Sequence, residues 1–279
     1  MVQDLGCPAR SPLVAGTLLG SPVGCRFVTH PIIPGAEPYS ATGDARGALV
    51  LHGFTGNPQS MRGLALALAD AGFTVEMPLL PGHGTDISDM VPTRWPQWCE
   101  AADDAFTELA ARCDAVAVVG LSMGGSLAVW LAEHRPEVAA LSVVNPLVTP
   151  PDTATTGFIE AMIEGGDEIA PGIGSDIALE GSVESAYPEL PLRAALSLFE
   201  GVEEVEAKLD SVTCPVLLFT STQDHVVDPK SSNVLMERVK GPVEQVVLER
   251  SYHVATLDYD AELIATETIE FMNKVVVPL

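Results

Sequence analysis

The stretch Ala115-Val-Ala-Val-Val-Gly-Leu-Ser122-Met-Gly-Gly125-Ser-Leu-Ala-Val-Trp130 decides the fold: an apolar strand runs into Gly-Leu-Ser-Met-Gly and then into a helix. Gly120 and Gly124 permit a turn that lifts Ser122 clear of the sheet, in a strained backbone where a larger neighbouring side chain would collide. The Met123 N–H then lies at a helix N-terminus, where unpaired amide donors and the macrodipole favour an oxyanion. A Gly-x-Ser-x-Gly run is short enough to arise by chance. The strand before it and the helix after it carry the specificity.

Outward from this turn, short apolar runs bounded by turn residues alternate with helical stretches. The predicted strands are Ala48–Leu51, Phe73–Met77, Ala115–Val119, Leu141–Val144, Val216–Thr220 and Gln245–Leu248. The predicted helices run from Asn57 or Pro58 to Asp70 with Gly72 as the stop, from Pro96 to Arg112, Met123 to His134, Ser231 to Val239 and Ala261 to Asn273. Such alternation implies an α/β fold with a doubly wound, mostly parallel sheet and right-handed crossovers. Residues 1–40 read as an irregular extension rich in Pro, Gly and Ser, with one short strand at Arg26 to His30; residues 41–146 and 210–279 form the core. Residues 147–209 contain no convincing β run, only amphipathic pieces such as Phe158–Glu164 and Leu192–Leu198. That is too long for an ordinary connection, and an inserted helical cap over the strand ends is expected.

A serine hydroxyl is a weak nucleophile, so it needs a base within reach and a carboxylate to orient that base. Asp224 follows the predicted strand Val216–Thr220, and His253 follows Gln245–Leu248. Both thus lie beyond strand C-termini, where catalytic groups gather in open α/β sheets. Asp228 competes with Asp224, but it precedes Pro229 at a helix start, where Asp usually caps. Asp258 and Asp260 read as caps of the final helix. The other histidines, His30, His52, His83, His134 and His225, lack the position of His253. For the second oxyanion donor, the loop Leu51-His52-Gly53-Phe54-Thr55-Gly56-Asn57 offers the Phe54 N–H, with Gly53 allowing close approach. His52 is expected to support this loop by hydrogen bonding. His83, between two glycines, reads as a structural hydrogen-bonding group or a substrate contact.

The chain has 279 residues, 47% of them apolar, enough for one large buried core. Its formal charge of −24 opposes binding to nucleic acid or anionic membrane surfaces. Between Asp152 and Asp210 fourteen acidic residues face only Arg193 and Lys208, a solvated face that also disfavours anionic substrates. No apolar run reaches the roughly 18 residues of a spanning helix and no secretory leader is evident, so a cytoplasmic protein without stable membrane insertion is expected, monomeric or homodimeric. Cys7, Cys25, Cys99, Cys113 and Cys214 lack paired spacing and read as reduced structural thiols. Without a two-His helix spacing or a Cys/His cluster, no metal or other cofactor is expected. Trp95 and Trp98 read as the core of their helix.

From about residue 35 onward the chain resembles the α/β-hydrolase superfamily and, within it, the bacterial carboxylesterases and thermostable-type monoacylglycerol lipases. The resemblance is carried by Leu51-His-Gly-Phe-Thr-Gly-Asn57, Pro81-Gly-His-Gly84, Gly120-Leu-Ser-Met-Gly-Gly125, Asp224 in Gln-Asp-His, Asn233 in Ser-Ser-Asn-Val, and His253-Val-Ala-Thr-Leu-Asp258. It implies an α/β-hydrolase fold, Ser122 as nucleophile, His253 as base, Asp224 as its orienter, and Phe54 and Met123 as oxyanion donors. The implied substrate is a small neutral ester, such as a short-to-medium acyl ester or a monoacylglycerol. A carbon–carbon bond hydrolase or proline-releasing peptidase with the same triad is the alternative, and a catalytically silent receptor a third. Tyr252 precedes His253 where the family often carries Gly, so its ring either alters the approach to the pocket or packs against the cap.

Overall fold

The computed structural model describes residues 30–277. Its strands are β1 Tyr39–Ala41, β2 Arg46–Leu51, β3 Thr74–Met77, β4 Ala115–Leu121, β5 Val138–Val144, β6 Ile169–Pro171, β7 Glu189–Pro191, β8 Val216–Ser221 and β9 Val243–Leu248. The helices are α1 Arg62–Asp70, α2 Ile87–Met90, α3 Trp95–Ala110, α4 Met123–His134, α5 Thr153–Glu164, α6 Leu192–Lys208, α7 Lys230–Arg238 and α8 Ala261–Val275. Seven strands make one sheet in the order β1-β3-β2-β4-β5-β8-β9, parallel throughout except for β1, which runs antiparallel to β3.

The sheet buries both faces, and the two-residue period of its strands sorts the side chains. Leu49, Leu51, Val116, Val118, Leu141 and Val143 pack on one side with α3, α4, α6 and α7. Ala48, Val50, Ala117, Val119, Ala140 and Val144 pack on the other with α1 and α8. Trp98 is fully buried and Trp95 nearly so, both in the first of these layers. Cys99, Cys113 and Cys214 carry free thiols.

The sheet's order also positions the site. From β2 the chain moves outward to β3 on one side, then returns to β4 on the other, so the direction of winding reverses between β2 and β4. Loops leaving the C-terminal ends of two such strands diverge and leave a crevice. The loop after β2 carries Phe54 and the turn after β4 carries Ser122.

The elements differ from the sequence expectation in four places. A 3₁₀ turn, Pro58–Met61, precedes α1, with Asn57 accepting from the Gln59 N–H at 3.0 Å. β1 and α2 were not expected, being only 3 and 4 residues long and so without a readable period. The span between β5 and β8 contains α5 and α6, which take in both amphipathic pieces, but also the antiparallel pair β6 and β7. Each of that pair has three residues and ends in Pro, which hides it from a propensity reading. The strand expected at Arg26 to His30 lies, apart from His30, outside the described residues.

Candidate active site

Ser122 sits at φ 55° and ψ −119°, between the last residue of β4 and the first of α4. A non-glycine residue in that region stores about 1–3 kcal/mol of strain. Close packing around the turn holds it there. A methyl group on Gly120 would lie 2.1 Å from the Gly124 carbonyl oxygen, and one on Gly124 would lie 2.2 Å from the Leu51 carbonyl oxygen. Only glycine at both positions lets α4 start so close to β2. The Ser122 N–H donates to the Val144 carbonyl at 3.0 Å, pinning the turn to β5. Met123 opens α4, and a first-turn amide has no acceptor within its own helix.

The loop after β2 meets this turn at Gly53, where a methyl group would lie 3.5 Å from Ser122 Cβ. Phe54 follows, its ring edge-on to Trp98 with centroids 5.6 Å apart. His52 lies beneath: its Nδ1–H donates to the Gly53 carbonyl at 3.0 Å and its Nε2 accepts the Leu80 N–H at 3.2 Å. Burial pushes this imidazole down to about 4, so it is neutral at pH 7 and keeps the tautomer that both bonds require. His83 is also fully buried and donates from Nδ1 to the Pro81 carbonyl at 3.0 Å. Its ring stands edge-on to His52, Phe54 and Trp98, and burial with the neighbouring His52 keeps it neutral.

Asp224 and His253 come together from the ends of β8 and β9. The His253 Nδ1–H donates to Asp224 Oδ2 at 2.7 Å, and the two side chains are 8% and 2% exposed, respectively. Asp224 Oδ1 accepts the backbone N–H groups of Val226 and Val227, each at 2.8 Å, which locks the carboxylate in its turn. With Nδ1 protonated and held, the His253 Nε2 lone pair is free to accept a proton. The rival Asp228 is exposed, and its carboxylate accepts the Lys230 N–H at 2.9 Å at the start of α7.

Several groups around His253 carry no sequence signature. Asn145, at φ 45° after β5, donates from Nδ2 to the His253 carbonyl at 2.8 Å and to Ser221 Oγ at 2.9 Å. Its Oδ1 accepts the Ser221 N–H at 2.7 Å, so a single amide joins three strand ends. Asp258 and Asp260 correct an expectation. Asp258 spends its carboxylate on the N–H groups of Tyr252, Ala178 and Leu179 as well as its own neighbour Tyr259. Asp260 stands at the N-cap position of α8, but its Oδ2 accepts from the Ser251 N–H and hydroxyl. Both hold the His253 loop. The Tyr252 ring packs edge-on against His225 at 4.6 Å between centroids.

Ser122 and His253 open into one cavity of about 450 Å³. Phe54 and Thr55 form its floor, and Ile159, Ile173, Leu198 and Phe199 from the span between β5 and β8 form an apolar wall. Glu184 adds a carboxyl to this lining, and burial pushes it up from the usual carboxylate range. Gly56 makes room for it, since a methyl group there would lie 2.6 Å from Glu184 Oε1. Among the described residues no group of three or more His, Cys, Asp or Glu is arranged to hold a metal ion.

With this geometry in place, the comparisons agree with one another. The family model for serine aminopeptidase S33 matches residues 43–260. Over 249 residues the chain is 40% identical to the thermostable monoacylglycerol lipase of Bacillus sp. (strain H-257), covering 88% of this chain and 97% of that one. A solved structure from the metagenome-derived lipolytic enzymes LipS and LipT superposes with a TM-score of 0.84 at 40% identity, covering 88% of this chain and all of that one (100%). The monoacylglycerol lipase of Paleococcus ferrophilus shares the fold, with a TM-score of 0.72 at 18% identity over 85% of this chain and 99% of that one. A mostly parallel sheet, a strained serine between β4 and α4 and a matched span of this extent lead to one conclusion: the chain belongs to the serine aminopeptidase S33 family of α/β-hydrolases.

Proposed function

We propose that the chain is a serine carboxylic-ester hydrolase that cleaves neutral short-to-medium acyl esters, monoacylglycerols among them, through an acyl-enzyme on Ser122. The observation that carries this reading is the 2.7 Å bond between His253 and Asp224 beside a strained serine that opens into the same cavity. In the proposed cycle the Ser122 Oγ attacks the ester carbonyl while His253 Nε2 takes its proton. The Phe54 and Met123 N–H groups stabilise the tetrahedral oxyanion, a donor of this kind contributing about 3 kcal/mol. His253 then protonates the departing alcohol, and water, activated by the same imidazole, releases the acid.

Residues 147–209 act in this reading as a cap, joined to residues 41–146 and 210–279 as the core, and their apolar wall takes the acyl chain. Affinity rises by about 0.8 kcal/mol per buried methylene until the cavity is full, which gives an expected optimum at about eight to twelve carbons. Among the described residues no helix is long and apolar enough to cross a membrane. A cytoplasmic monomer or homodimer that takes small neutral esters from solution fits this reading.

A second reading, release of an N-terminal amino acid, draws on the carboxyl groups of Glu184 and Glu189 in the cavity, which would suit an ammonium group. A panel of 1-monoacylglycerols, p-nitrophenyl esters and aminoacyl-anilides separates the two, with fluorophosphonate labelling of the parent and of Ser122→Ala alongside. Ester turnover and labelling that both vanish in Ser122→Ala are expected. Turnover of anilides alone would favour the peptidase, and ligand binding without labelling a silent receptor.

A further inference from the structure

One carboxylate of the span between β5 and β8 grips both loops that carry Asp224 and His253. Asp176 Oδ2 accepts the backbone N–H of His253 and that of His225, each at 3.1 Å. Its Oδ1 accepts His225 Nδ1–H at 2.8 Å, and its carbonyl oxygen accepts the Val254 N–H at 3.0 Å. His225 directly follows Asp224, so one side chain, 11% exposed, bridges the residue next to the acid and the base residue itself. From the other side Asp258 returns the grip, accepting the N–H groups of Ala178 at 2.7 Å, Leu179 at 2.9 Å and Tyr252 at 2.9 Å.

The physical need for such a link is plain. β8 and β9 are neighbours in the sheet, but their ladder ends at Ser221 and Leu248, before either loop reaches its catalytic group. Beyond that point backbone bonds are sparse, with the Thr222 N–H on the Leu248 carbonyl and the Val254 N–H on the Asp176 carbonyl, each at 3.0 Å, and side-chain bonds supply the rest. Asn145 holds the His253 carbonyl from the sheet side, and Asp176 holds its N–H from the other. Charge-assisted bonds to a carboxylate are about twice as strong as neutral ones.

We propose that Asp176 is a positioning residue for the hydrolysis, clamping the Asp224 and His253 loops in register, so that this part of the insertion belongs to the catalytic frame. The inference rests on the reading of Ser122 and His253 given above.

The test uses the full chain and p-nitrophenyl esters, comparing Asp176→Ala and Asp176→Asn with Ser122→Ala and His253→Ala. Asp176→Ala is expected to lower kcat about 10- to 100-fold with little change in KM, the scale of a small misplacement of a catalytic group. Asp176→Asn keeps an acceptor oxygen for the two N–H groups, so it should restore most of kcat, to within about 5-fold of the parent. Thermal unfolding of each variant shows whether it is folded. Asp176→Ala at parental kcat, or Asp176→Asn as damaged as Asp176→Ala, overturns the proposal. If Ser122→Ala or His253→Ala still turns over ester, the functional reading itself is what fails.

Discussion

Gly124→Ala is the most direct test of the strained turn at Ser122. The added methyl carbon would stand 2.2 Å from the Leu51 carbonyl oxygen, 2.6 Å from its carbon and 2.7 Å from the His52 carbonyl oxygen, where ordinary contact begins at 3.4 Å. All three are backbone atoms, so no side chain can swing aside. Relief requires α4 and the end of β2 to part by about 1 Å, a displacement that in active sites costs up to about 100-fold in rate. Because Met123 precedes Gly124 and Phe54 follows His52 by two residues, the parting falls on the two proposed oxyanion donors. The expected result is a kcat for p-nitrophenyl butyrate lowered about 100-fold, near 3 kcal/mol, with about 1–3 kcal/mol lost in folding stability from overpacking. Fluorophosphonate titration would count competent sites, so that lost folding is not read as lost catalysis. Gly63→Ala, at a position with nothing within 4 Å of the new methyl group in the first turn of α1, serves as the control and should leave the rate unchanged. A Gly124→Ala protein with parental melting and a kcat within about threefold of the parent would show that the backbone contacts do not position the oxyanion donors.

Two further outcomes follow from buried polar groups away from that turn. Both Glu133 carboxyl oxygens are buried without a hydrogen-bond partner among the described residues, and burial pushes the group up to about 8 against the pull of Lys208 and Arg238. The folded chain therefore binds this proton more tightly than the unfolded chain, and stability falls as pH rises from about 4.5 to about 8. Glu133→Gln should remove that slope, gaining about 2 kcal/mol over the parent between pH 5 and 8.5 once the effect is discounted for solvent screening. Urea unfolding at the two pH values checks it, and parallel stabilities would sink it. The buried Tyr187 hydroxyl accepts the Thr85 N–H and donates to the Gly82 carbonyl, each at 2.9 Å. Tyr187→Phe should cost about 1–3 kcal/mol by thermal unfolding, and a neutral result would show that those backbone groups find other partners.

Residue order alone reveals whatever repeats locally. Alternating apolar runs with helices between them imply a wound sheet, and Gly-Leu-Ser-Met-Gly between a strand and a helix implies a strained turn, because close backbone packing there demands glycine. The rule that functional groups sit beyond strand C-termini singles out Asp224 and His253, and the chain brings those two side chains into contact. Tertiary structure alone decided what crosses the chain. The carboxylate of Asp176 meets the N–H of a residue 77 positions away, and Asn145 reaches one 108 positions away. Asp258 read as a helix cap because only its neighbours were visible; its bonds to Ala178 and Leu179, about 80 residues back, redefine it. The three-residue strands β6 and β7 likewise exist only as each other's partner. A hydrogen bond between distant segments leaves no period, propensity or spacing in the sequence, since any residue with an acceptor oxygen can make it and only the fold says which one is there.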